Sequence, residues 1–419
     1  MKLAAVRAIA ALAREATSDI AARAYGGESS TFGATSLIPN PFDPRLIIRI
    51  APAVAQAAMV TGVARKPLPD IEAYREELSR FVFRSGFIMK PLFAQAKADP
   101  KRVIYAEGED ERVLRAAQIA LEEGLAVPIL IGRPSVIESR VQRFGLSIRP
   151  GVDCEVVNPE DDPRYRDYVQ TYLDIAGRRG ITPEAARSLV RTNNTVIAAL
   201  AVARGEADAM ITGLEGRFMS RLRHIKDIIG LAPGVCDISA MTLIITNKGA
   251  FFLADTHVKH DPSAEEIADM TVLAAGHVAR FGIEPKIALL SHSDFGAADT
   301  PSAVKMRKAL GLIRERAPQL ECDGEMEADT ALVAMVRERV LPSSRLKGVA
   351  NVLIFPNLDA ANIAYQFAKV LADALPVGPI LIGAAKPVHI LTGSVTARGV
   401  VNMTAVAVVE AQERAAAAG

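Results

Sequence analysis

Leu3, Val6, Ile9 and Leu12 recur at helical spacing and predict an amphipathic helix at the start of the chain. Arg7 and Arg14 interrupt that apolar stretch and no small-residue cleavage site follows it, so it does not read as a signal peptide. A segment rich in Gly, Ser and Pro runs from 26 to 44, where Pro39, Pro41 and Pro44 forbid regular helix. Helical composition returns over 51–63, 67–69 reads as a linker, and a further helix is predicted from about 70 to 84. From Lys101 the pattern changes. Short apolar runs at 103–105, 127–131, 209–211, 241–245, 251–254, 287–290, 352–355 and 380–382 alternate with helical stretches such as 112–123 and 195–204. Apolar strands without polar alternation, separated by helices, indicate largely parallel sheets covered on both faces. A last helix is predicted from about 400 into an Ala-rich tail.

Composition narrows the picture. With 419 residues, half of them hydrophobic, the chain has material for two to three domains. A net charge of +1 predicts no broad attraction to nucleic acid or to a membrane surface, and no apolar run has the length of a membrane span. Cys154, Cys236 and Cys322 stand alone, without ligand-like spacing to a histidine. They read as small, mostly buried thiols in a reducing compartment, and a cytoplasmic location follows.

The dinucleotide fingerprint GxGxxG, the phosphate loop GxxxxGK[ST] and HExxH are all absent from the sequence. Candidate chemistry lies instead in the turns that follow the strands, where a parallel sheet binds its ligands. Glu107-Gly108-Glu109-Asp110-Glu111-Arg112 reads as a strand-to-helix turn, with Gly108 free to take positive φ and acidic residues favouring the helix start. Ser291-His292-Ser293-Asp294 reads as a polar ligand-binding turn, since adjacent residues do not form a relay that needs convergence from separate elements. Asn357 and Asn362 suit a ligand or a helix cap equally well. His257, after Asp255 and Thr256, reads as a structural, hydrogen-bonded histidine, and Arg217, Arg221, Arg223 and Lys226 as a solvated helix face.

Several of these stretches resemble the phosphotransacetylase family: 106–114, 323–329, 355–363, 378–381 and 400–402, in the family's order. The segment before them, with Ala24-Tyr25-Gly26, Phe32-Gly33, 37–45 and 50–55, resembles the closing stretch of bacterial malic enzymes. Together they resemble the hybrid malic enzymes. That resemblance implies two parallel-sheet α/β subdomains with a cleft between them, preceded by a mainly helical malic-enzyme remnant. The implied boundaries are 1–80 for the remnant and linker, 81–236 with 385–419 for one subdomain, and 237–384 for the other. In that family the full chain oxidatively decarboxylates malate to pyruvate with NADP, sometimes NAD, and Mg2+ or Mn2+. Its catalytic tyrosine and lysine, metal ligands and dinucleotide loop lie upstream of the matched stretch, so this chain is expected to be a piece of the longer protein. No catalytic residue, metal ligand or cofactor is then expected in it.

One departure separates the chain from working phosphotransacetylases, which resemble one another in a Ser-Arg-Gly stretch followed by an Asp. Aligned on 400–402, Thr392-Gly393 stands at Ser-Arg and Gly399 at the Asp, with Arg398 as the nearby positive charge. Glycine neither takes a proton from a thiol nor neutralises a phosphoryl group. The resemblance therefore implies an acetyl-CoA-binding, regulatory cleft and a homo-oligomer. The alternatives are an active phosphate acetyltransferase and an oligomerisation scaffold without sensing. The expected effector-binding residues are Ser291, His292, Ser293, Asn357, Asn362, Thr392 and Arg398.

Overall fold

The opening periodicity is realised in helix Lys2–Ala13, which packs on helix Arg45–Val60, itself packed on helix Ile71–Val82. A computed structural model describes residues 1–14, 33, 37–39, 45–82, 84–246, 248–372 and 374–418. The Ala24-Tyr25-Gly26 block and most of the 26–44 loop thus lie outside the described residues. Helix Arg45–Val60 begins six residues ahead of the expected 51 and contains the buried Pro52. Leu46, Ile47, Ile48 and Ile50 carry it through the proline, at the loss of one backbone hydrogen bond. Two compact parts result, Met1–Lys90 and Pro91–Gly419. The boundary falls inside helix Arg84–Ala98, which the periodicity did not mark and which holds Pro91.

In the second part the strands begin with β1 (Lys101–Tyr105), β2 (Ala126–Ile131), β3 (Glu155–Val157) and β4 (Ala209–Thr212). Next come β5 (Ser239–Thr246), β6 (Gly249–Ala254), β7 (Lys286–Leu290), β8 (Glu321–Met326) and β9 (Val352–Ile354). β10 (Leu375–Ile382) and β11 (Val388–Ile390) close the series. Among the described residues they form two sheets, ordered β11-β4-β1-β2-β3 and β10-β5-β6-β9-β7-β8.

Every pairing in the first sheet is parallel, as are β6-β9-β7-β8 in the second. β5 runs antiparallel to both its neighbours, against the parallel expectation for 241–254. Thr246 and Gly249 leave no room for a crossover helix, so a hairpin is forced. Both strands are mostly buried all the same, which is why they lack polar alternation. β8 carried no strand signal because Asp323 and Glu325 sit inside it, both buried. Cys154 and Cys322 are buried, but Cys236 is exposed, because it lies in the segment that crosses between the sheets.

Two helices have long buried stretches. Asn194–Ala203 is capped by Asn193, whose side chain accepts from the Thr195 and Val196 amides. Ala397–Ala418 is buried from Val400 to Ala411 and packs on helix Glu111–Glu122 and on β1, β4 and β10, touching both sheets. Among the described residues no helix is long and apolar enough to cross a membrane. The chain crosses between the sheets at 229–238 and again at 383–387, and the crossings pair. Ala232 N donates to the Gly383 carbonyl at 2.9 Å and Ala385 N to that of Gly230 at 3.1 Å. Gly383 takes φ 95°, and a Cβ there would stand 3.0 Å from the Asp237 carbonyl oxygen.

The Tyr105 hydroxyl, fully buried, meets Thr404 Oγ1 of the last helix at 2.7 Å, and Thr404 also donates to the Val400 carbonyl at 2.9 Å. Thr404→Val leaves the phenol without its partner and should cost about 1–3 kcal/mol in urea unfolding. Tyr105→Phe leaves Thr404 still bonded and should cost less; the reverse ranking would contradict this account.

Candidate functional site

The first sheet reverses strand order between β1 and β4, and such crevices at carboxyl ends of strands are where open α/β sheets bind ligands. Glu107, just past β1, reaches across it. Its Oε1 accepts from Gly213 N at 3.1 Å and Thr212 Oγ1 at 3.2 Å, and pairs with Arg221 Nη2 at 3.0 Å. Oε2 is buried and has no hydrogen-bond partner among the described residues. Burial raises the Glu107 pKa, against the pull of Arg221. Arg221 also donates to Thr195 Oγ1 at 2.6 Å, so it is not part of a solvated face. Lys226 is engaged too, 2.5 Å from Asp237.

Gly108 does not take the positive φ its type allows; glycine is needed because a Cβ would sit 2.7 Å from the Ile131 carbonyl oxygen. Asp110 caps helix Glu111–Glu122 by accepting from Arg112 N at 2.8 Å, while Glu109 turns aside to Arg133. Arg112 Nη1 donates to the Gly393 carbonyl at 2.7 Å and that of Val395 at 3.2 Å, tying the turn after β11 to the turn after β1.

In the second sheet the turns after β6 and β7 are also built round carboxylates. Buried Asp255 accepts from the amides of His257, Val258 and Lys259 at 2.9, 3.0 and 2.9 Å. His257 Nδ1 lies 2.8 Å from Thr256 Oγ1, and burial lowers its pKa to about 4. Ser293 Oγ donates to Glu325 Oε1 at 3.1 Å, which also accepts from Gly296 N at 2.9 Å and Arg307 Nη1 at 2.8 Å. Asp294 accepts from Glu327 N at 2.8 Å and Thr330 Oγ1 at 3.2 Å. His292, exposed, stands 3.3 Å from Thr300 Oγ1, and Ser291 Oγ is buried without a partner among the described residues. The Ser, His and Asp of this turn therefore diverge and form no relay.

Asn357 caps helix Leu358–Leu371 by accepting from Ala360 N at 2.9 Å, and Asn362 Nδ2 donates to the Thr256 carbonyl at 3.1 Å. The turns bearing Ser291, His292, Ser293 and Asn357, with Asn362 in the helix after β9, thus lie along one edge, after the adjacent strands β7 and β9. Thr392 lies at the edge of the other sheet, its Oγ1 3.1 Å from Ser394 Oγ. Arg398 is exposed and lies over the Phe93 ring at 5.2 Å. The two edges meet where Phe218, beyond β4, packs on His257, beyond β6, with ring centroids 5.3 Å apart. Sequence reasoning missed the Glu107–Arg221 pair; its signal was an acid directly after the central strand and a basic run after β4. Among the described residues no three His, Cys, Asp or Glu side chains group as metal ligands would. A surface cavity of about 340 Å³ lies elsewhere, lined by Gln118, Leu121 and Ser147 at the far end of helix Glu111–Glu122.

A family model described as phosphate acetyl/butaryl transferase matches residues 87–408. The chain is 63% identical to an NAD-dependent malic enzyme of Rhizobium meliloti over 411 residues, 98% of this chain and 53% of that protein. It spans about half the length of the curated malic enzymes it matches. It is 32% identical to a phosphate acetyltransferase of Acetivibrio thermocellus, over 77% of this chain and 98% of that protein. Among solved structures, a phosphotransacetylase from Streptococcus pyogenes aligns with a TM-score of 0.73 and 29% identity, over 79% of this chain and 99% of that one.

The basic run after β4 offers a sharp contrast. Arg221→Ala strands the Glu107 carboxylate in a buried site and should cost about 3–5 kcal/mol. Arg223→Ala, at an exposed neighbour, should change stability by about 0.5 kcal/mol or less. Equal effects in denaturant unfolding would contradict the placement of Arg221.

Proposed function

The chain belongs to the phosphate acetyl/butaryl transferase family, and from that premise we propose that it is an acetyl-CoA-sensing region that no longer transfers acetyl groups. The observation that carries the reading is the start of the last helix. Thr392-Gly393 and Gly399 stand where working relatives resemble one another in Ser-Arg and Asp, and a Cβ at 399 would begin 2.7 Å from Val395 Cγ2. A side chain at 399 would first have to displace the Val395 side chain. The acids nearest the strand ends support the same reading, because Glu107, Asp255, Asp294 and Glu325 already hold backbone amides. An acid occupied in that way is a poor general base.

Acetyl-CoA would lie along the strand-end turns, against Ser291, His292, Ser293, Asn357, Asn362, Thr392 and Arg398. The longer protein, on this proposal, is a cytoplasmic malic enzyme that takes malate to pyruvate with NAD or NADP and a divalent metal bound upstream of these residues. The 63% identity of this chain to about half of such an enzyme supports this. Self-association belongs to the same reading, supported by Ile363, Phe367, Val370 and Leu371, which form an apolar stripe 54–77% exposed. The light-scattering mass of the chain tests that directly, and a monomer would count against it.

The competing reading, an active phosphate acetyltransferase, is favoured by the match to the full length of such enzymes. Thioester formation from acetyl phosphate and CoA decides between them: background rate is expected, and turnover would overturn the proposal. Calorimetry should detect acetyl-CoA, and His292→Ala should weaken its binding without lowering stability. No heat at millimolar acetyl-CoA would sink the sensing role.

A further inference from the structure

Far from the strand-end turns, the second of the two crossings between the sheets is gripped by one side chain of the last helix, and that crossing is in turn bonded to the first. Arg414 Nη1 donates to the Ala385 carbonyl at 2.6 Å, and Nη2 to that of Ala384 at 2.7 Å and to Glu410 Oε1 at 3.1 Å. Glu410 is buried, and its Oε2 makes no hydrogen bond among the described residues. Two donors stand just out of reach of it. His389 Nε2, on β11, is at 3.6 Å, and Arg280 Nη1, from helix Ala264–Arg280 of the second sheet, is at 3.9 Å. His389 Nδ1 accepts from Leu381 N at 3.3 Å, so Nε2 carries the ring proton and is itself buried and unpaired. Arg280 reaches Glu413 at 2.6 Å and His277 Nδ1 at 2.8 Å.

Buried donors and acceptors left unmade are costly, and here a donor and an acceptor face each other across a gap of less than 1 Å beyond bonding distance. The groups involved belong to both sheets and to the hinge between them. Arg280 belongs to the second sheet's side and His389 to the first sheet, so the two gaps to Glu410 depend on how both sheets stand against the last helix. Packed interfaces of this kind switch between discrete settings and do not deform continuously. We propose that Glu410, with Arg280, Arg414 and His389, is a half-made latch whose completion accompanies closure of the strand-end cleft on its ligand. The last helix links the two places. Gly399 lies in its first turn, next to Arg398 and bonded to Thr396, and Glu410 lies eleven residues further, about 16 Å along the axis. Glu410 is thus a positioning residue, acting on the cleft through the hinge.

The proposal rests on the acetyl-CoA reading for its ligand but not for its hinge, so the test reads each separately. In the ligand-free protein, Glu410→Gln should raise amide hydrogen exchange at 230–238 and 383–387 while the core strands stay protected. In calorimetry the same variant should weaken acetyl-CoA binding by about fivefold or more, the usual scale of coupling between sites. Unchanged exchange at the crossings, or a uniform rise across the whole chain, would overturn the latch. Local exchange with unchanged affinity would overturn its link to the cleft. If the wild-type chain binds no acetyl-CoA, the sensing role fails while the exchange measurement still decides the hinge. Should Glu410→Gln not fold, Arg280→Gln, at a partly exposed side chain, is expected to give the same local pattern, and its absence overturns the proposal.

Discussion

A carboxylate taken out of water must be met by donors, and the strand ends of the second compact part are arranged around that requirement. Glu107 gathers the amide after β4 and a guanidinium from the next helix. Asp255 gathers three successive amides. Glu325, inside β8, holds the turn after β7, and Asp294 in that turn reaches back to the amide after β8. Neighbouring turns are therefore fastened to one another across strands. The same acids that look like chemistry in the sequence are consumed as structure. What the edge still offers to a ligand is hydroxyls, amides and the start of a helix, which suits binding more than group transfer.

The last helix turns that edge into part of a larger device. From Val400 to Ala411 it is buried, packed against both sheets and helix Glu111–Glu122. Its first turn is tied to the cleft, since Arg112 holds the carbonyls of Gly393 and Val395 just before it. Its later turns grip the 383–387 crossing through Arg414. On the proposed reading, a ligand beside Thr392 would lie close to an element that also holds the 383–387 crossing. An effector can shift such an equilibrium only by binding two settings unequally, and on the latch proposal the Glu410 network is where the settings would differ.

Much of this architecture was legible in the chain. Unbroken apolar runs separated by helical stretches marked most of the strands, and turns after β1, β7 and β9 were marked as ligand-facing. The hairpin β5–β6 was misread as parallel because burial on both faces removes alternation whatever the strand direction. β8 was invisible because its burial rests on hydrogen-bonded Asp323 and Glu325, which no hydropathy pattern reveals. Arg221 and Arg223, two residues apart in one basic run, have opposite environments, and only the position of Glu107 distinguishes them. Asn357 and Asn362 suited a cap or a ligand equally; both make internal hydrogen bonds, which fixes where their side chains stand. The Glu410 network was beyond any local pattern, since its members come from positions 280, 389, 410 and 414.

The central claim is that a transferase-family cleft has been kept for binding after the groups that move an acetyl unit were lost. A crystal structure of the chain grown with acetyl-CoA tests it most directly. The account expects an intact thioester lying between the turns after β7 and β9 and the turn bearing Thr392, with no side chain from 393 or 399 at the sulfur. Acetyl-CoA bound on another face, or absent at millimolar concentration, would contradict it.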